Sequence, residues 1–125
     1  PVATMSLDTP SKKEDANAKP LNTPMMKWFF DQVVSKPEDA KDPRLNLVDA
    51  NLKGLPPVTV INAEIDPLQS DGDMIVEKLK AAGVDTTHKT YEGVTHEFFG
   101  MDGVVAKATE AQDFAVAQIK KGFGS

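Results

Sequence analysis

The segment that most restricts the fold is Val58-Thr59-Val60-Ile61-Asn62-Ala63, a short β-branched run set off by Pro56-Pro57. Its pattern is that of a strand buried on both faces of a parallel sheet. Asp73 to Ala82 follows as a helix, with Ile75, Leu79 and Ala82 at spacings of four and three on one face and Gly83 closing it. Val84 to Tyr91 is β-branched again but mostly polar, as an edge strand is. A last helix is predicted from about Gly103 to Lys121. Val104, Ala108, Ala111, Ala115 and Ile119 form its apolar stripe, and Lys120 and Lys121 complement the dipole in its final turn. Strand, helix, strand, helix is a βαβα unit, which belongs in an α/β sheet covered on both faces. Two strands are too few to bury the faces of three helices. The sheet is therefore expected to be completed by another copy or by chain outside this sequence.

The third helix comes from the first part of the chain. Residues 1–55 carry six of the nine Pro and two polar stretches, Ser11 to Lys19 and Ser35 to Arg44, which read as surface loops. Between them Pro24 to Val34 is a compact apolar block, with Thr23 as N-cap and Pro24 at the first helical position. Such a helix is too apolar to stand in water alone. The chain thus divides into residues 1–55, an extended and looped region with one apolar helix, and residues 56–125, the βαβα segment.

Composition narrows the chemistry. A chain of 125 residues with 40% hydrophobic residues can form a core without disulfides or structural zinc. The absence of Cys excludes thiolate chemistry, Cys-ligated metals and disulfides; it is compatible with a reducing compartment, and a cytoplasmic location is the expectation. A formal net charge of −5, with Lys scattered among Asp and Glu, argues against a nucleic-acid or anionic-membrane partner. No apolar run approaches the ~20 residues a membrane span needs. An N-terminal proline amine can act as a base where it heads a strand that enters the core. Val2 to Pro10 is short, polar and followed by a loop, so Pro1 is read instead as a cut placed inside a larger fold.

In open α/β sheets the functional groups lie in the loops after the carboxyl ends of the strands. The first such loop is Glu64-Ile65-Asp66-Pro67-Leu68, and the second runs from Glu92 to Gly100 and contains His96. A carboxylate bonded to one ring nitrogen of His fixes its tautomer and leaves the other nitrogen free as a general base. Two plainer readings stand beside this one: Asp before Pro is a common turn former, and His among aromatics is a common packed core residue. His88, mid-strand among polar residues, is read as lying on a solvated face. A nucleophile is missing. The order Asp, His, Ser offers only Ser125 after His96, and the order Ser, Asp, His offers Ser6, Ser11 and Ser35, none of which sits in a Gly-x-Ser-x-Gly elbow.

Several motifs taken together carry a resemblance. They are Gly54-Leu55-Pro56-Pro57-Val58, Ala63-Glu64-Ile65-Asp66-Pro67-Leu68 followed by Asp71-Gly72, Leu79-Lys80-Ala81-Ala82-Gly83-Val84, and Tyr91-x-Gly93-x-x-His96-x-Phe98. With Asp8-Thr9-Pro10-Ser11, Met26-x-Trp28-Phe29 and Asp42-Pro43-Arg44, they make nearly the whole chain resemble the C-terminal part of the hormone-sensitive-lipase-like esterases of the α/β-hydrolase fold. The resemblance implies the last two parallel strands of an eight-stranded sheet. It implies Asp66 as triad acid and His96 as general base, with the nucleophile elbow and oxyanion hole in a missing N-terminal half. It implies a small-molecule ester substrate, with neither metal nor cofactor. Met25, Met26, Trp28, Phe29 and Phe30 lie in the segment that contributes to the cap over the acyl pocket; most are expected to be core packing, with one or two facing substrate. Glu97 departs from the family, where many members carry Gly, and its carboxylate either raises the His96 pKa or, as favoured here, points to solvent. The related esterases also suggest a homodimer through residues 84–91 and 103–121, and a non-catalytic module that self-associates through them is the alternative.

Overall fold

The computed structural model describes residues 2–124; Pro1 and Ser125 lie outside the described residues. Strand β1 (Val58–Ile65) and strand β2 (Thr86–Thr95) pair in parallel, and helix α3 (Gln69–Ala81) makes the crossover between them. Helix α4 (Ala106–Gly122) follows β2, and helices α1 (Pro10–Glu14) and α2 (Thr23–Val33) precede the sheet.

Alternation along β1 sorts the core into two sides. Val58 and Val60 face Ile75, Val76 and Leu79 of α3, whereas Ile61 and Ala63 face Ala108 and Ala111 of α4 together with Tyr91, Val94 and Phe98. The strand is thus covered on both faces, as its β-branched composition requires. Ala3, Leu47 and Val48 join the α3 side, so the N-terminal residues are part of this core. A third cluster, Leu21, Met26, Phe30 and Leu68, seats α2 against the loop that follows β1.

Helix α3 ends as expected. Gly83 takes φ 79°, with Gly83 N–H donating to Lys80 O at 3.0 Å and Val84 N–H to Leu79 O at 3.0 Å, the paired bonds of a Schellman closure. Its start differs from the expectation: the helix begins at Gln69 rather than Asp73, and Gly72 lies inside it. Space is the reason. A Cβ at Gly72 would fall 2.0 Å from Asn62 Oδ1. Asn62 is buried and donates to Gln69 O at 3.2 Å, so it has little room to withdraw. Gly72→Ala is expected to lower unfolding free energy by about 1–3 kcal/mol, the cost of expelling a buried amide from its partners. Urea unfolding measures this; an unchanged midpoint would show that Asn62 yields freely.

Other differences have equally local causes. Asn22, not Thr23, caps α2, its side chain accepting from Met25 N at 2.9 Å; this leaves Thr23 in the first turn and free to donate to Lys12 O. Part of the stretch read as a loop from Ser11 is helix α1, capped by Thr9 and started by Pro10, and it buries both Ser11 and Lys12. Lys12 meets Asp71 at 2.7 Å in a fully enclosed ion pair. Helix α4 starts at Ala106 because residues 101–105 close a turn, with Val105 N–H donating to Met101 O at 2.8 Å; Val104 is left exposed. Ile119, the last residue of the expected stripe, is exposed as well. His88 is not on a fully solvated face: it is half-buried, with Nε2 3.1 Å from Asn62 Nδ2 and 3.6 Å from Asp73 Oδ1.

The largest difference lies in the second strand. It runs on through Glu92-Gly93-Val94 to Thr95 instead of ending at Tyr91. Ala63 pairs with Tyr91, but the next pairing is Ile65 with Thr95, so β2 uses four residues where β1 uses two. Gly93, at φ 67°, accommodates the excess in a conformation other residues rarely adopt, and its N–H donates to Glu64 Oε2 at 2.6 Å.

Candidate active site

The bulge sets the site. Since Ile65 and Thr95 are register partners at the carboxyl ends of two parallel strands, the residues that follow them, Asp66 and His96, leave the sheet side by side. His96 Nδ1 lies 2.8 Å from Asp66 Oδ2. With a carboxylate as acceptor, Nδ1 donates, which leaves the Nε2 lone pair of the neutral ring as proton acceptor. The hydrogen bond to Asp66 raises the His96 pKa above its usual 6.5; partial burial opposes this, and the charges of Asp66 and Glu97 add to it.

Asp66 is held from several directions. Only 7% exposed, it accepts from Leu68 N–H through Oδ1 at 2.8 Å and donates its own N–H to Asp15 Oδ2 at 3.1 Å. Burial pushes the Asp15 carboxyl up, and the N–H bond from Asp66 pulls it back down. Ser11 Oγ donates to Pro67 O at 2.8 Å, while Ser11 and Ser70 exchange N–H to Oγ bonds at 3.0 Å in each direction. The acid loop is thus clamped by α1 and the residue that ends it. Sequence reasoning missed Ser11 and Asp15, because their partners lie more than fifty positions away; the Thr9-Pro10 pair, a capping residue before a helix-starting proline, was the available signal for α1.

On the other side His96 begins a 3₁₀ turn, His96–Gly100, anchored by the buried Phe98 against Tyr91 at a ring separation of 5.4 Å. A largely apolar cavity of about 520 Å³ opens beside His96 and is walled by Met26, Phe29, Phe30 and Leu68, with Arg44 and Glu97 as its charged members. Of the aromatic and Met residues of α2, Met26, Phe29 and Phe30 reach this cavity. Met25 and Trp28 do not line it, and Trp28 is 59% exposed. Glu97 combines both of its expected positions: its side chain is 67% exposed, yet Oε1 lies 3.7 Å from His96 Nε2. Among the described residues no cluster of three or more His, Asp or Glu is arranged to hold a metal ion, and no helix is long and apolar enough to cross a membrane.

A parallel sheet between helix layers, with an acid and a His at adjacent strand exits, is the plan of an α/β hydrolase. Residues 1–100 match the family described as alpha/beta hydrolase fold. The ethyl acetate hydrolase of Pseudomonas putida is 29% identical over 122 residues, covering 97% of this chain and 38% of that protein. The hormone-sensitive lipase of Mus musculus is 31% identical over 72 residues, 58% of this chain and 10% of the lipase. The solved hyperthermophilic esterase from Pyrobaculum calidifontis superposes with a TM-score of 0.92 at 34% identity, covering 97% of this chain and 41% of the esterase. The chain belongs to the α/β-hydrolase family, among its hormone-sensitive-lipase-like esterases. It spans about two fifths of the ethyl acetate hydrolase and of the Pyrobaculum esterase.

Proposed function

We propose that this chain is the part of a serine carboxylic-ester hydrolase that supplies the triad acid, Asp66, and the general base, His96, to a nucleophile and oxyanion hole carried by the remainder of the enzyme. The observation that carries the reading is the 2.8 Å bond between His96 Nδ1 and Asp66 Oδ2 at the exits of two parallel strands. In the reaction, His96 Nε2 takes the proton of the attacking serine hydroxyl and returns it to the departing alcohol; water then repeats the sequence on the acyl-enzyme. Asp66 orients the ring and stabilises the imidazolium that forms in each half. The cavity beside His96 offers Met26, Phe29 and Phe30 as its apolar wall for the organic part of an ester. The partners of the reading are the remainder of the same hydrolase, a small-molecule ester and a second copy docked through β2 and α4.

The test compares hydrolysis of a short-chain p-nitrophenyl ester by the 125-residue chain alone and by the chain joined to the remainder of the hydrolase. No turnover is expected from the first, and turnover abolished by His96→Ala from the second. Activity of the chain alone that survives both His96→Ala and Asp66→Asn would overturn the reading.

A further inference from the structure

We propose that Glu97 is a positioning residue for the base, a second carboxylate that flanks the ring nitrogen opposite Asp66, stabilises the imidazolium and moves the working range of the site to higher pH. The proposal rests on the reading of His96 as the base and adds a residue that this reading does not use.

Geometry carries it. Asp66 engages Nδ1 at 2.8 Å, and Glu97 Oε1 stands 3.7 Å from Nε2, so the two ring nitrogens face one carboxylate each. Glu97 directly follows His96 in a 3₁₀ turn pinned by the buried Phe98, which keeps the Glu97 backbone fixed relative to the ring. A carboxylate near Nε2 repels the lone pair of the neutral ring and attracts the N–H of the protonated one. It therefore favours the state in which Nε2 holds the proton between its removal from serine and its delivery to the alcohol.

The other charged groups around the ring leave this role to Glu97. Glu64 of β1 is engaged by the Gly93 N–H, and Asp15, after α1, accepts from the Asp66 N–H. Arg44 lines the same cavity but is paired with Asp42 at 2.7 Å. On α4, Lys107 donates to the Glu92 carbonyl, and Glu110 and Asp113 are exposed. Because Glu97 is itself exposed, its effect is that of a surface ion pair: real at low salt and screened at high salt.

The experiment is an imidazole nitrogen NMR titration of the 125-residue chain and its Glu97→Gln variant. At low ionic strength the His96 midpoint is expected to fall by roughly 0.2–0.7 pH units in the variant. Most of this difference should vanish in 1 M salt. Glu97→Asp, which keeps the charge on a shorter arm, should fall between the two. In the complete enzyme the acidic limb of kcat/KM should shift to lower pH by the same amount. A His96 midpoint that Glu97→Gln leaves in place at low salt overturns the proposal. That failure is separable from failure of the functional reading: an unmoved midpoint with inactive His96→Ala removes only Glu97, whereas activity that survives His96→Ala removes the base itself.

Discussion

Asp66→Asn in the complete enzyme lowers kcat by about 10⁴-fold while the fold persists; this is the expected result if Asp66 is the acid of the pair. Asparagine still accepts from Leu68 N–H through its amide oxygen, so the loop keeps its shape. The group facing His96 Nδ1 becomes an NH₂ donor, which can only be accepted by a ring whose proton sits on Nε2. That tautomer has no lone pair where the serine proton must go. Steady-state kinetics on a variant with unchanged circular dichroism measures the effect. A loss of less than tenfold would reduce Asp66 to the turn former that an Asp-Pro sequence also suggests.

The second large effect concerns stability and arises far from any chemistry. Lys12 is 1% exposed, and its Nζ meets Asp71 Oδ2 at 2.7 Å and Ser6 O at 2.8 Å. Asp71 Oδ1 also accepts the N–H groups of Ala3 and Thr4, at 3.0 and 3.1 Å. Asp71→Ala therefore strands a buried ammonium and two backbone donors together and is expected to cost about 3–5 kcal/mol. Lys12→Met should cost clearly less, because the Asp71 carboxylate keeps two backbone partners and the Met chain fills the Lys stem's space. Urea unfolding of the two variants measures the asymmetry. Equal losses would mean that the ammonium contributes as much as the carboxylate with its backbone partners, and would overturn the asymmetry. A typical domain has only about 5–15 kcal/mol of stability, so Asp71→Ala is also the variant nearest to an unfolded chain.

What the sequence made legible follows the range of the interactions involved. Strand β1 was readable because burial on both faces leaves a β-branched run, and the close of α3 because a left-handed residue after a helix favours glycine. Asp66 was readable because it follows the first strand closely, and His96 because it lies in the loop after the second apparent strand. The extension of β2 was not, since Glu92-Gly93 interrupts its pattern; only the pairing of Ile65 with Thr95 shows that the strand resumes. The start of α3 ahead of Gly72 was not legible either, because the tight approach of Asn62, ten positions earlier, leaves no local trace. The Ser11 and Asp15 clamp on the acid loop, and the burial of Lys12, were hidden for the same reason: polar residues in a polar stretch read as solvated until a distant partner covers them.

The two extra residues of β2 also say something about how such a site can be adjusted. Side chains along a strand alternate with a period of two, so a surplus of one would turn every later residue to the opposite face. A surplus of two does not. Beyond Gly93 the chain keeps its parity while the end of β2 is displaced by two positions relative to β1. Axial reach and side-chain direction thereby become independent variables. Residues gained or lost in pairs at this point would slide the imidazole along the strand axis without inverting it, whereas a single insertion would aim it into the opposite layer.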